Sequence, residues 1–308
     1  MPSVLKTTGD MKNYILTYCS GYEQHVYDRF VYSLFDTGFR DQLVIFLEEK
    51  DLPRVRKFRK EFGECFDFVV CQPSFHPITF RSIAYLEFLN KLTDSKTGDI
   101  FLTDSRDVLF QRDIFTFPFE KLKRYPVDPL SDIYFFLECG LIGECNRNKK
   151  WLMALMEEMC MPDPPLEMRR FVRKRISYAG AVFGNLHSVK IYLTIMNRLI
   201  LASEAAQQPK VFGPDQAMHN FLIYDGLIDQ ESKASKGPYV SWHFLDNTDN
   251  LENNIAWGKA RGTSMIDQNG FIVNHHQEKA YCFHCYDRAK GWSQQMSKFP
   301  QWSKFNLN

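Results

Sequence analysis

The chain has 308 residues, 44% of them hydrophobic and 24% charged, a composition that fits a folded globular protein and excludes disorder as the default. Its 38 Lys and Arg nearly balance its 37 Asp and Glu, for a net charge of +1. No broad basic field is available to bind a phosphate backbone, so a nucleic-acid partner is not expected. No run approaches the ~18 apolar residues of a membrane span, and the polar first ten residues lack the apolar core of a signal peptide, so a cytoplasmic protein without an anchor is expected.

The pattern of apolar residues predicts a strand over Asn13–Tyr18 and a helix over Glu23–Phe35, where Val26, Phe30 and Leu34 recur every fourth position. Leu43–Leu47 is a continuous apolar run, as in a strand covered on both faces. Asp51 resembles the N-cap of a helix with Pro53 in its first turn and Gly63 at its end. A third strand over Phe66–Cys71, a helix over Thr79–Leu92 with Ile83, Leu86 and Leu89 on one side, and a fourth strand over Ile100–Thr103 follow. This βαβαβαβ alternation implies an α/β fold with a mostly parallel central sheet and helices on both faces. Further on, a strand is expected at Ile133–Leu137 and helices at Lys149–Cys160, Val189–Ser203 and Asp215–Tyr224. Met161–Arg175, charged and proline-containing, reads as a mobile loop, and the Gly-, Asn- and Trp-containing C-terminal third as an irregular lobe. Residues 1–308 are expected to form one domain, divided near residue 130 into a half from 12 to 130 and a half from 131 to 308.

Eight cysteines spread over a large core-forming chain read as reduced and mostly buried. Cys282-Phe-His-Cys285 is a CxxC without a second ligand pair at matching spacing, since His275 and His276 are adjacent, so structural zinc is disfavoured. The segment Asp99-Ile-Phe-Leu-Thr-Asp104-Ser105-Arg106-Asp107-Val-Leu-Phe carries the strongest chemical signal. Ligands of open α/β sheets bind beyond the carboxyl ends of strands, and two carboxylates placed there can converge on Mg²⁺ or Mn²⁺. Arg106 between them could meet a phosphate or neutralise the acidic pair. The pattern alone fits a capped helix start or a solvated turn equally well. A Gly-x-Gly-x-x-Gly fingerprint and a P-loop are both missing, which disfavours dinucleotide and kinase readings.

A hydrophobic strand ending in a variant of Asp-x-Asp and followed by Val-Leu-Phe resembles the metal-binding motif of GT-A glycosyltransferases. Three further segments resemble that family in order: Tyr178-Ala-Gly-Ala-Val-Phe-Gly184, beneath the donor sugar; Phe212-Gly-Pro-Asp-Gln216-Ala, at a helix start near the acceptor; and Phe283-His-Cys-Tyr-Asp-Arg288, which completes the metal site. The closest resemblance is to small unanchored enzymes of large algal viruses, the chloroviruses, that glycosylate their own capsids. Asp-x-x-Asp replaces the family's Asp-x-Asp here and leaves open which carboxylate binds metal directly.

The resemblance implies a Rossmann-like GT-A fold and a metal site of Asp104, Asp107 and His284, holding Mn²⁺ or Mg²⁺. Without it, His284 would read as a buried, hydrogen-bonded core histidine. Donor contacts are implied at Thr17, Tyr18, Cys19, Arg81, Asp104, Ser105, Arg106, Ala179, Gly180 and His275, and an acceptor contact at Gln216; Trp242 and His243 fit an acceptor groove, because sugars present apolar C–H faces to indoles, and fit a core position equally well. Asp215 is the implied general base, with a helix N-cap as its bland alternative and Asp246 and Asp267 in reserve. The expected activity is metal-dependent transfer of a sugar from a UDP-sugar, UDP-xylose first, to a hydroxyl of an oligosaccharide or glycoprotein acceptor. Inversion is expected, because no carboxylate nucleophile stands beside the Ala-Gly segment; a retaining transferase using UDP-glucose or UDP-galactose is the alternative. For a viral protein this chemistry would serve capsid glycan synthesis in the host cytoplasm. Two rivals of other classes are a Mg²⁺-dependent phosphohydrolase, which usually carries its acidic pair on the first strand, and a non-catalytic carbohydrate-binding protein.

Overall fold

A computed structural model of the chain describes residues 11–93, 96–119, 122, 132–207, 213–235, 237–254, 262–289, 291–305 and 307. Phe212, quoted above, lies outside them. The first half follows the expected alternation: β1 (Lys12–Tyr18), α1 (Gln24–Phe35), β2 (Gln42–Glu48), α2 (Leu52–Phe62), β3 (Phe66–Cys71), α3 (Pro77–Leu89), β4 (Thr97–Thr103) and a short β5 (Val108–Phe110). The second half runs β6 (Asp132–Leu141), α4 (Asn146–Glu158), α5 (Pro164–Met168), β7 (Arg175–Asn185), α6 (Leu186–Ala202), α7 (Pro214–Tyr224), α8 (Leu227–Ala234) and β8 (Ser241–Leu245). Four short strands, β9 (Glu252–Asn254), β10 (Ser264–Ile266), β11 (Ile272–Asn274) and β12 (Cys282–His284), are followed by two short helices, α9 (Trp292–Met296) and α10 (Pro300–Ser303).

Seven strands form the central sheet in the order β3-β2-β1-β4-β7-β6-β8. All run parallel except β7, which lies antiparallel between β4 and β6. Strand side chains alternate between two cores, as the two-residue period of a strand requires. Ile15, Leu43 and Ile45 pack with Phe30 and Phe58 of α1 and α2, whereas Leu16, Val44 and Phe46 pack with Tyr85, Val189 and Met218 of α3, α6 and α7. Covering on both faces is why these strands read as unbroken apolar runs.

Several expectations need correction. In α3 the buried positions include Arg81, Ser82 and Tyr85, while Ile83 and Leu86 are only half-buried, because polar side chains from this helix enter a cleft. Asp51 is the N-cap residue of α2 as expected, but its side chain makes no capping bond; the carboxylate instead accepts from Ser20 Oγ at 2.6 Å and the Gly21 N–H at 2.8 Å, tying α2 to the end of β1. The stretch read as a mobile loop contains α5, capped by Asp163, and buries Met168 and Phe171. The small-residue segment is the middle of the eleven-residue β7. The C-terminal third is more regular than expected, with a three-stranded sheet β5-β12-β9 and a β10-β11 pair. Its own core gathers Leu109, Ile272, Phe283, Tyr286 and Trp302. All eight cysteines are free, but only Cys19, Cys71, Cys282 and Cys285 are buried. Among the described residues no helix is long and apolar enough to cross a membrane.

Candidate functional site

At the carboxyl end of β4 the chain turns through Asp104 and Ser105 into β5, and β7 passes antiparallel beside it. The Asp104 N–H donates to the Gly180 carbonyl at 2.8 Å. Ser105 Oγ donates to the Tyr18 carbonyl at 3.2 Å, and an Arg29 N–H of α1 donates to the Arg106 carbonyl, so neighbouring elements hold this turn from both sides. The small sheet then supplies the remaining groups. β12 pairs antiparallel with β5, setting His284 opposite Val108 and therefore next to Asp107. β12 also pairs in parallel with β9, which brings Glu252 alongside Cys282.

His284 is buried, with Nε2 3.0 Å from Asp107 Oδ1 and 3.5 Å from Asp104 Oδ2. Asp107, also buried, meets Arg106 at 3.1 Å and Arg288 at 3.3 Å. Burial works to raise its pKa, but His284, Arg288 and Arg106 outweigh burial and hold the carboxyl well below the usual range. For His284, burial works to depress the pKa, and Cys285 and Asp107 beside it more than offset that, leaving it well above the ordinary histidine value. Ligands at ~2.1 Å in adjacent positions of an octahedral ion stand ~3.0 Å apart. The 3.0 Å between His284 and Asp107 meets that requirement, and Asp104 stands farther from His284 at 3.5 Å. Cys285 also lies close: its Sγ, an Asp107 oxygen and a His284 nitrogen are all within 4.8 Å of one another. Cys282 of the CxxC is instead turned toward the Leu251 carbonyl.

Arg81 of α3 links this cluster to a second carboxylate. Its guanidinium bonds Asp104 directly, donates to the Ala179 carbonyl at 3.0 Å and reaches Asp215 Oδ2 at 3.5 Å. Asp215 is the second residue of α7; the helix is capped by Gly213 at φ 104°, so Asp215 is not the N-cap. Burial pushes the Asp215 carboxyl up to about 6, opposed by Arg81 and assisted by Asp104. Gly180 must be glycine for space: a Cβ there would lie 2.8 Å from both Asp104 Oδ2 and His284 Cε1. Gly180→Ala is expected to leave the protein folded, at an overpacking cost of ~1–3 kcal/mol, while displacing the Asp104 and His284 side chains. Paired thermal melts and metal titrations check this; unchanged metal affinity would contradict it.

Two cavities meet over these groups. One is lined by Tyr18, Ser20, Tyr22, His76, Ser105 and Arg106. The other, smaller one is lined by Asn148, Trp151, Ala179, Gly180, Asp215 and Gln216. Ile78, Arg81, Asp104 and Arg288 belong to both and form the seam between them. Compared with profiles of known protein families and with curated proteins, the sequence matches none.

The structure thus brings together Tyr18, Arg81, Asp104, Ser105, Arg106, Asp107, Ala179, Gly180, Asp215, Gln216 and His284. The other expected contacts lie elsewhere. Thr17 and Cys19 are buried and line neither cavity: neighbours of Tyr18 along the chain, they face away from the cleft. His275 is exposed beside His276 in the turn after β11. Trp242 and His243 pair with Ile133 and Tyr134 at the start of β6, the end of the sheet away from the site; His243 bonds Asp132 at 2.9 Å. Asp246 is held by Arg175 at 2.8 Å, and Asp267 accepts from the N–H groups of Asn269 and Phe271; neither reserve candidate lines the two cavities. Gln216 borders the cleft, but its amide accepts from the Ala179 N–H at 2.9 Å and donates to the Ser177 carbonyl at 2.6 Å, clamping α7 onto β7. Sequence reasoning did not single out Trp151, Glu252 or Arg288.

Proposed function

We propose that the protein is a metal-dependent glycosyltransferase of the GT-A type, moving a sugar from a UDP-sugar to a hydroxyl of a glycan acceptor. The observation that carries this reading is the division of the cleft into two cavities joined at Arg81, Asp104 and Arg288, with the buried carboxylate of Asp215 on one side only. Transfer between two substrates needs two chambers meeting at one reacting bond, whereas a hydrolase needs one. Tyr18 and Tyr22 give the larger chamber aromatic walls for a nucleoside, and Arg106 and Arg288 present cations toward a diphosphate. A divalent cation held by Asp104, Asp107 and His284 would neutralise the charge of the departing diphosphate.

On the opposite side, Asp215 can take the proton of an acceptor hydroxyl, and its raised pKa makes it a competent base near neutral pH. Half-buried Trp151 offers an indole to the apolar C–H face of an acceptor sugar. The phosphohydrolase rival is weakened because Asp107 is buried among His284, Arg106 and Arg288, which leaves it a poor nucleophile. UDP-xylose as donor and a role in viral capsid glycans rest on the sequence resemblance alone.

Calorimetry tests the reading. UDP should bind more tightly with Mn²⁺ than in EDTA, and Asp107→Ala should abolish the difference. Equal affinity with and without metal in the wild type would refute the proposal.

A further inference from the structure

Glu252 is a fully buried carboxylate whose hydrogen bonds are incomplete. It opens β9, its side chain is 0% exposed, and neither carboxylate oxygen completes a hydrogen bond. A buried carboxylate with incomplete hydrogen bonds is destabilising, and an apolar side chain of similar volume would avoid that cost. Its nearest basic atom is Nδ1 of His284, 3.4 Å from Oε1, with the Tyr178 hydroxyl also alongside. The imidazole is therefore bracketed: Asp107 and Asp104 face Nε2, and Glu252 faces Nδ1. The two ring nitrogens are not equivalent, because whichever carries the proton cannot offer a lone pair.

We propose that Glu252 is a positioning residue that retains the Nδ1 proton of His284 and so turns the Nε2 lone pair toward a divalent cation shared with Asp104 and Asp107. This rests on the metal-dependent reading above. The register carries the argument: β9 lies parallel to β12 with Glu252 level with Cys282, on the face of that sheet that His284 also uses. Tyr178, from the middle of β7, closes the pocket around the carboxylate, its ring centroid 5.5 Å from that of His284. A carboxylate behind a ligating histidine fixes both ring orientation and tautomer, and losing one typically weakens metal binding ~10–100-fold.

The test uses the full chain as wild type, Glu252→Gln and Glu252→Asp. Free Mn²⁺ is followed by electron paramagnetic resonance in saturating UDP, and the histidine ring nitrogens by NMR in EDTA and in Mg²⁺ with UDP. Glu252→Gln should bind Mn²⁺ ~10–100-fold more weakly, with Glu252→Asp recovering part of the loss because it keeps the charge. Wild type should show a slowly exchanging His284 Nδ1 proton that Glu252→Gln lacks. A folded Glu252→Gln protein with unchanged Mn²⁺ affinity overturns the proposal, as does a wild type without a protected Nδ1 proton. If wild type binds no Mn²⁺, the metal-dependent reading fails, and the Nδ1 proton in EDTA still decides whether Glu252 holds the ring. If Glu252→Gln does not fold, that proton and the Glu252→Asp variant decide it.

Discussion

Asp215→Asn should lower turnover by ~10²-fold or more while leaving UDP affinity within reach of wild type. The carboxylate lies on the Trp151 side of the seam, 3.5 Å from Arg81, and the chamber lined by Tyr18 and Tyr22 does not include it. With its pKa pushed up to about 6, the base should become active as pH rises through that value. The kcat/KM of the wild type should therefore climb about tenfold per pH unit below 6 and level off above it, a limb missing from Asp215→Asn. Stability should move the opposite way. A carboxyl whose folded pKa lies above its unfolded value of 3.8 contributes stability that is fully present below 3.8 and is lost as pH rises through 6. In EDTA, the Tm of Asp215→Asn relative to wild type should therefore be higher at pH 7.5 than at pH 4. Anomeric coupling of the first-formed product, read by NMR, should show inversion. A retained configuration, or a near-normal rate in Asp215→Asn, would remove Asp215 as the base.

The sheet was readable because its strands are buried on both faces: Leu43–Leu47 carries no polar residue, and no register choice could expose it. The position of the acidic pair was readable for a related reason, although its role was not. Asp104 and Asp107 interrupt apolar runs at a strand end, where exposure alone would not favour flanking Phe101, Leu102 and Val108. Arg81 could be placed only through family resemblance, since its helix pattern pointed Ile83, Leu86 and Leu89 inward instead.

What was misread follows from long-range pairing. Trp242 looked like a sugar platform, but β8 joins the sheet parallel to β6, which sends its first residues to the far end. His275 sits in a tight turn, and nothing local distinguishes a turn histidine from a ligand. Glu252 lies in Leu251-Glu-Asn-Asn254, where no periodicity marks a strand; β9 is three residues long and exists only because β12 pairs with it. A free-standing reading gives such a glutamate to solvent. One signal was available: Arg288 closes the segment containing His284, four residues away, and a cation there complements an acidic pair.

Replacing Arg81 by Met should damage both stability and chemistry, and the pH dependence separates the two. Its guanidinium is nearly buried and serves Asp104, Asp215 and the Ala179 carbonyl together. Removing one partner of a buried ion pair leaves uncompensated charge, a loss of ~3–5 kcal/mol. That loss should not be uniform in pH. Without the cation, Asp215 keeps the burial that raises its pKa and loses the group that lowers it, so its folded pKa should rise further above about 6. Stability carried by a raised carboxyl pKa disappears as pH increases, and Arg81→Met should consequently lose more at pH 8 than at pH 5 by urea denaturation. The acid limb of kcat/KM should shift upward with the same pKa, so that relative to wild type the variant is most impaired at low pH and recovers as pH rises past its shifted pKa. Arg81→Lys should fall between: it keeps a positive charge but cannot span three acceptors with a planar fork. An equal stability loss at both pH values, or an unshifted limb in the Met variant, would mean that Arg81 braces α3 without setting the charge on Asp215.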